Sequence, residues 1–95
     1  MEAREFTLQA RINGKKLNAW LEAGWLAPQR NDEGTHYSEM DVARARLIED
    51  LKDLGINDEG VPVILDLVDQ LHGLRRVLRE LLSTINVQRQ EPGRT

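Results

Sequence analysis

Asp66 and Asp69 stand three residues apart, a spacing that puts both on one face of a helix. Paired carboxylates are the groups that general acid–base chemistry uses. Nothing such chemistry needs accompanies them: no nucleophile, no glycine-rich phosphate loop and no chain large enough to build a catalytic pocket around them. The two histidines, His36 and His72, are far apart in different elements, and no carboxylate–histidine spacing recurs around either. No metal set and no cofactor are therefore expected; His72, between Leu71 and Gly73, reads as a surface or interface residue. A second group of acids, Glu49, Asp50 and Asp53, falls near the end of the preceding helical pattern. These five carboxylates read as a surface for a cationic partner or, equally, as plain solvated faces. Lys15, Lys16 and Arg30 are the cations a nucleic acid would use. Trp20 and Trp25 could stack on bases. In a chain with only 4% aromatic residues, they read instead as the core of a junction between a helix and its neighbouring turn. A binding protein is expected, not an enzyme.

Composition narrows this further. The net charge of −3 argues against strong non-specific nucleic-acid binding, which draws its affinity from cations that neutralise phosphates. A local basic patch can still lie under such a total. Ninety-five residues make one small domain, marginal unless association adds apolar contact. The absence of cysteine excludes disulfides and thiolate chemistry and fits a reducing compartment. The charged start Met1-Glu2-Ala3-Arg4-Glu5 lacks an apolar core behind it, and no apolar run is long enough to span a membrane. The expectation is a soluble, cytoplasmic chain with no membrane partner.

The elements that must position these residues follow from periodicity. Glu2 to Arg11 reads as a first helix with Phe6 and Ala10 on one face. Ile12-Asn13-Gly14 makes a sharp turn, with Asn13 able to cap a second helix that faces Leu17, Trp20 and Leu21 inward. Gly24 stops it. From Trp25 to Tyr37 the period is lost; Pro28 and Asn31-Asp32-Glu33-Gly34 suit a small two-stranded wing anchored by Trp25, Leu26 and Tyr37. Ser38 and Asp41 form a capping-box start for a third helix, with a stripe of Met40, Ala43, Leu47, Leu51 and Leu54 and a stop at Gly55.

Asn57 can cap the last helix, although Pro62 lies deep for a first turn, so the helix begins nearer Val61 or bends at Pro62. Beyond it Ile64, Leu67, Leu71, Leu74, Leu78, Leu81 and Ile85 fill alternating a and d heptad positions. Val68 and Leu82 at e, with Val63 and Val77 at g, widen the seam. These are the residues expected to form the interface of a homodimer, through an antiparallel or bundled helix pair; folding back on its own domain is the other option. Gly73 within the helix costs about 1 kcal/mol against alanine. The expected organisation is a winged helix-turn-helix head over 1–57, a heptad helix over 58–87 and a disordered tail over 88–95, one mostly helical domain in all.

The run Ile12-x-x-x-x-Leu17-x-x-Trp20-x-x-Ala23-Gly24-Trp25-Leu26-x-Pro28 is similar to the start of a MerR-type head, where a leucine, an aromatic position and Gly-Leu-Leu-x-Pro share that spacing. Tyr37-Ser38-Glu39-Met40-Asp41 matches its Tyr-Ser-x-x-Asp, and Arg46-Leu47-Ile48 and Asp53 to Glu59 match its third helix and following turn. The DNA-binding members present an arginine-tyrosine-tyrosine run on the second helix, where this chain has Asn18-Ala19-Trp20. Asp32 and Glu33 beside Arg30 would also face phosphates badly. With those departures the chain resembles the chaperone modulators of the CbpM type, which are short, MerR-like and end soon after the long helix. Glu22-Ala23-Gly24-Trp25-Leu26, Leu54-Gly55-Ile56-Asn57 and Val63 to Asp69 carry that resemblance. It implies binding to the J-domain of a DnaJ-like, curved-DNA-binding co-chaperone, and inhibition of its co-chaperone activity. The J-domain meets its own chaperone with a basic helix, so the resemblance also implies an acidic docking face. A small MerR-like DNA-binding regulator using Lys15, Lys16 and Arg30 is the alternative.

Overall fold

The computed structural model describes the backbone of residues 1–90 and the side chains of residues 1–85. The chain divides into two compact units, Met1–Pro62 and Val63–Thr95. In the first unit the order is α1 (Ala3–Ala10), α2 (Gly14–Glu22), β1 (Gln29–Asn31), β2 (Gly34–His36) and α3 (Glu39–Asp53). Helix α4 (Gly60–Gln90) starts at the end of the first unit and makes up the described part of the second.

Local chemistry sets each boundary. Arg11 takes the left-handed conformation (φ 59°) at the end of α1, and the Ile12 N–H returns to the Thr7 carbonyl. The left-handed residue is thus Arg11, while Gly14, expected in the turn, is already the first residue of α2. The Asn13 side chain accepts the Lys16 N–H at 2.8 Å and supplies the N-cap. Helices α2 and α3 end in the same device. Gly24 (φ 78°) and Gly55 (φ 90°) turn the chain left-handed, and the residues after them, Trp25 and Ile56, donate back to the Trp20 and Leu51 carbonyls. At the start of α3 the Ser38 hydroxyl accepts the Asp41 N–H while the Asp41 carboxylate accepts the Ser38 N–H, a reciprocal capping box.

The wing is a two-stranded antiparallel ribbon in which Gln29 pairs with His36, Arg30 with Thr35 and Asn31 with Gly34. So short a ribbon is marginal by itself, and its flanks are held by the helices. Tyr37 is buried and stacks on Phe6 at 4.4 Å. The Tyr37 N–H donates to the Met1 carbonyl and its own carbonyl accepts the Met1 ammonium. Arg44 Nε donates to the Trp25 carbonyl at 2.6 Å, tying α3 to the entry of the wing.

The core of the first unit contains Phe6, Ala10, Ile12, Leu17, Trp20, Trp25, Leu26, Tyr37, Ala45, Ile48, Leu51 and Val61. Fully burying each large apolar side chain contributes about 1.5–3 kcal/mol. Helix α1 packs on α3, and this corrects the expected stripe of α3. Its buried residues are Ala45, Ile48 and Leu51; Met40, Ala43 and Leu54 are exposed. The buried row runs at steps of three, oblique to the expected one, and shares only Leu51 with it as a buried position. Met40 lies in the capped first turn and Leu54 in the closing turn, where little packs over them.

Helix α4 begins at Gly60, not 58. Asn57 Oδ1 accepts the Gly60 N–H at 2.7 Å, the Asn57 carbonyl accepts from Gly60 and Val61, and Asp58 and Glu59 form the turn between. Pro62 is the third helical residue, where the missing N–H would have had no helical partner. The helix continues through Gln90, so residues 88–90, expected in the tail, are helical; the remainder of the expected tail, 91–95, lies outside the described residues. In the second unit Leu65 is buried, whereas Leu67, Leu71, Leu74, Leu78, Leu81 and Ile85 are 45–58% exposed. Ile64 and Val68 are half-buried; Val63, Val77 and Leu82 are exposed.

Candidate functional site

Helix α2 buries Leu17 and Trp20, which leaves Lys15, Lys16, Asn18, Ala19 and Glu22 exposed. Lys16 does not stand alone there: its ammonium contacts Glu49 Oε1 of α3 at 2.5 Å. One residue expected to meet nucleic acid and one expected to meet a cationic protein therefore neutralise each other. Lys15 and Arg30 are exposed, the latter in β1 opposite Thr35. The tip of the wing carries Asp32 and Glu33, with the Glu33 N–H held by the Asn31 side chain.

Next to the Lys16–Glu49 pair lies a cleft of about 540 Å³, all within the first unit, lined by Lys16, Ala19 and Trp20 of α2, by Ala23 and Trp25 just after it, by Glu49, Lys52 and Asp53 of α3, and by Asp58 of the following turn. Ala19 of α2 and Ala23 at its C-cap, four apart, are small enough to leave the space open. The indole rings of Trp20 and Trp25 lie 6.4 Å apart, tilted by 37°. The Lys52 ammonium sits 6.0 Å from the centre of the Trp25 ring, within reach of a cation–π attraction. It also forms an ion pair with Asp58. Two cations and three carboxylates meet here, so the cleft carries one excess negative charge.

Of the five acids singled out in the sequence, Glu49 and Asp53 face this cleft and Asp50 is exposed on the same helix. Asp66 and Asp69 are exposed in the second unit, where Asp66 accepts from Gln70 at 2.9 Å. Trp20 and Trp25 are core residues as expected, but they also line the cleft. Lys52 and Asp58 escaped the sequence reading. Five residues, the left-handed Gly55 among them, separate the two, and only the closing of α3 brings them together.

Tyr37 titrates away from its ordinary value. Burial pushes its hydroxyl above the usual phenol value, Arg30 pulls it down and Asp41 adds a smaller upward push. Among the described residues no group of three or more histidine, cysteine, aspartate or glutamate side chains is placed to hold a metal ion. No helix among them is long and apolar enough to cross a membrane.

Residues 1–67 match the family described as MerR HTH family regulatory protein. The chain belongs to the MerR helix-turn-helix family. Neither curated proteins nor solved structures yielded a match. The MerR match covers the whole first unit, including both glycine-closed helices, the wing and the capping box, and runs into α4 as far as Leu67.

Proposed function

We propose that this MerR-family chain is a chaperone modulator of the CbpM type: a cytoplasmic homodimer, joined through α4, that binds the J-domain of a DnaJ-like co-chaperone and inhibits its activity. The observation that carries the reading is the fate of the head's cations. Lys16 is paired with Glu49, Lys52 with Asp58, and Arg44 is spent on the Trp25 carbonyl. Five others of the first unit, Arg4, Arg11, Lys15, Arg30 and Arg46, are exposed, so these pairings thin the set of cations that gives a duplex binder its affinity without removing it. Asp50 and Asp53 of the first unit and Asp66 of the second are exposed carboxylates that suit a basic partner. The exposed row from Leu67 to Ile85 supports the homodimer, since an apolar face of that length is not left to water in a stable protein.

The MerR fold serves a DNA-binding regulator equally well, and one experiment separates the two. The purified chain is titrated by calorimetry against a J-domain fragment and, in parallel, against duplex DNA at physiological salt. Saturable J-domain binding at micromolar concentration or tighter, without duplex binding, is the expected result. Replacing Lys15 and Lys16 by alanine should leave J-domain binding intact, whereas Asp66→Arg with Asp69→Arg should abolish it. Salt-sensitive duplex binding that weakens when the two lysines are removed, with no J-domain signal, would establish the regulator instead.

A further inference from the structure

The cleft between α2 and the end of α3 has a composition that a purely structural crevice does not need. Two indoles form an apolar, π-rich wall, and the Lys52 ammonium already occupies the cation position over Trp25. That ammonium is held by Asp58 in a pair whose two side chains are 37% and 75% exposed, an arrangement worth little net stability. Beside it stands Asp53, for which no ion pair is found among the described residues. Asp53 is the last residue of α3, where the unpaired helix carbonyls make a carboxylate unfavourable. A residue that opposes its own helix, next to a cation that is only loosely held, marks a surface prepared for another cation.

We infer that this cleft receives an arginine side chain from the protein partner, the guanidinium displacing Lys52 over Trp25 and pairing with Asp53 and Asp58. A guanidinium fits better than the resident ammonium for three physical reasons. It is planar and stacks on an indole, it is less strongly hydrated, and its fork of donors can serve two carboxylate oxygens together. The excess negative charge of the cleft favours the exchange, and about 540 Å³ admits the side chain with the backbone that carries it. The inference deepens the J-domain reading and rests on it, because the partner expected there presents a basic helix.

The test uses the full chain and three variants, Asp53→Asn, Lys52→Met and Lys15→Met, each titrated with the J-domain fragment. Asp53→Asn should weaken binding at least about tenfold. It should also raise the midpoint of thermal unfolding by roughly 1–5 °C, since it removes a charge that opposes the helix. Lys52→Met should tighten binding more than Lys15→Met, which removes the same charge outside the cleft. J-domain binding that is indifferent to Asp53→Asn, or that tightens equally in the two lysine variants, overturns the cleft and leaves the J-domain reading standing. If the J-domain does not bind at all, that reading fails, and a tetra-arginine peptide decides the cleft. A change in the emission of the two tryptophans that depends on Asp53 and exceeds that caused by tetra-lysine supports it; no change overturns it.

Discussion

The Lys16 ammonium rests on the Glu49 carboxylate with 46% and 25% of the two side chains exposed. At that exposure the pair adds at most about 1 kcal/mol to stability. Its effect on recognition is larger, because it removes one cation from a face that a duplex would need and one anion from a face that a basic partner would need. Tyr37 carries the other residue-scale consequence. Its raised pKa means that, above the usual phenol value of 10.0, the unfolded chain has lost a proton that the folded chain retains. The stability linked to this group is complete below that value and falls as pH rises through the folded-state value. Thermal melts of the native chain and of Tyr37→Phe between pH 8 and 11.5 should coincide at the neutral end. At the alkaline end the variant should lose less stability.

At the scale of elements, the head is a set of helices whose ends are chemically specified. The capping box at Ser38 satisfies two backbone N–H groups, those of Ser38 and Asp41, at the start of the 15-residue α3. Ser38→Ala should therefore cost about 1 kcal/mol, visible as a fall of roughly 4–8 °C in the thermal midpoint of a domain this size. A variant that melts at the native temperature would show that the wing and α1 hold α3 without its cap. The cleft belongs to this scale too. It exists because α2 and α3 present small residues and carboxylates to each other where both helices end in glycine turns.

For the whole molecule, α4 is the element that its own unit cannot satisfy. Its heptad leucines remain about half exposed, and each buried in an interface would contribute about 1.5–3 kcal/mol. Leu74→Asp with Leu78→Asp should convert the expected homodimer to a monomer by sedimentation while the far-ultraviolet circular dichroism of the head persists. A dimer that survives both changes would place the interface elsewhere.

Much of this architecture was legible in the residues. Asn13, Gly24, Ser38 with Asp41, Gly55 and Asn57 act through neighbours within six positions, so helix ends and wing could be read from spacing alone. So could the unbroken heptad of α4, which is a property of one helix. The sequence did not determine which face of α3 is buried, because Met40, Ala43 and Leu54 are as apolar as the residues that replaced them inside. Packing on α1 made that choice. Nor could spacing reveal that Lys16 meets Glu49 across thirty-three residues, or that Lys52 and Asp58 flank the two tryptophans. Those are encounters between elements, and side chains on different helices find each other only once the core has fixed where the helices lie.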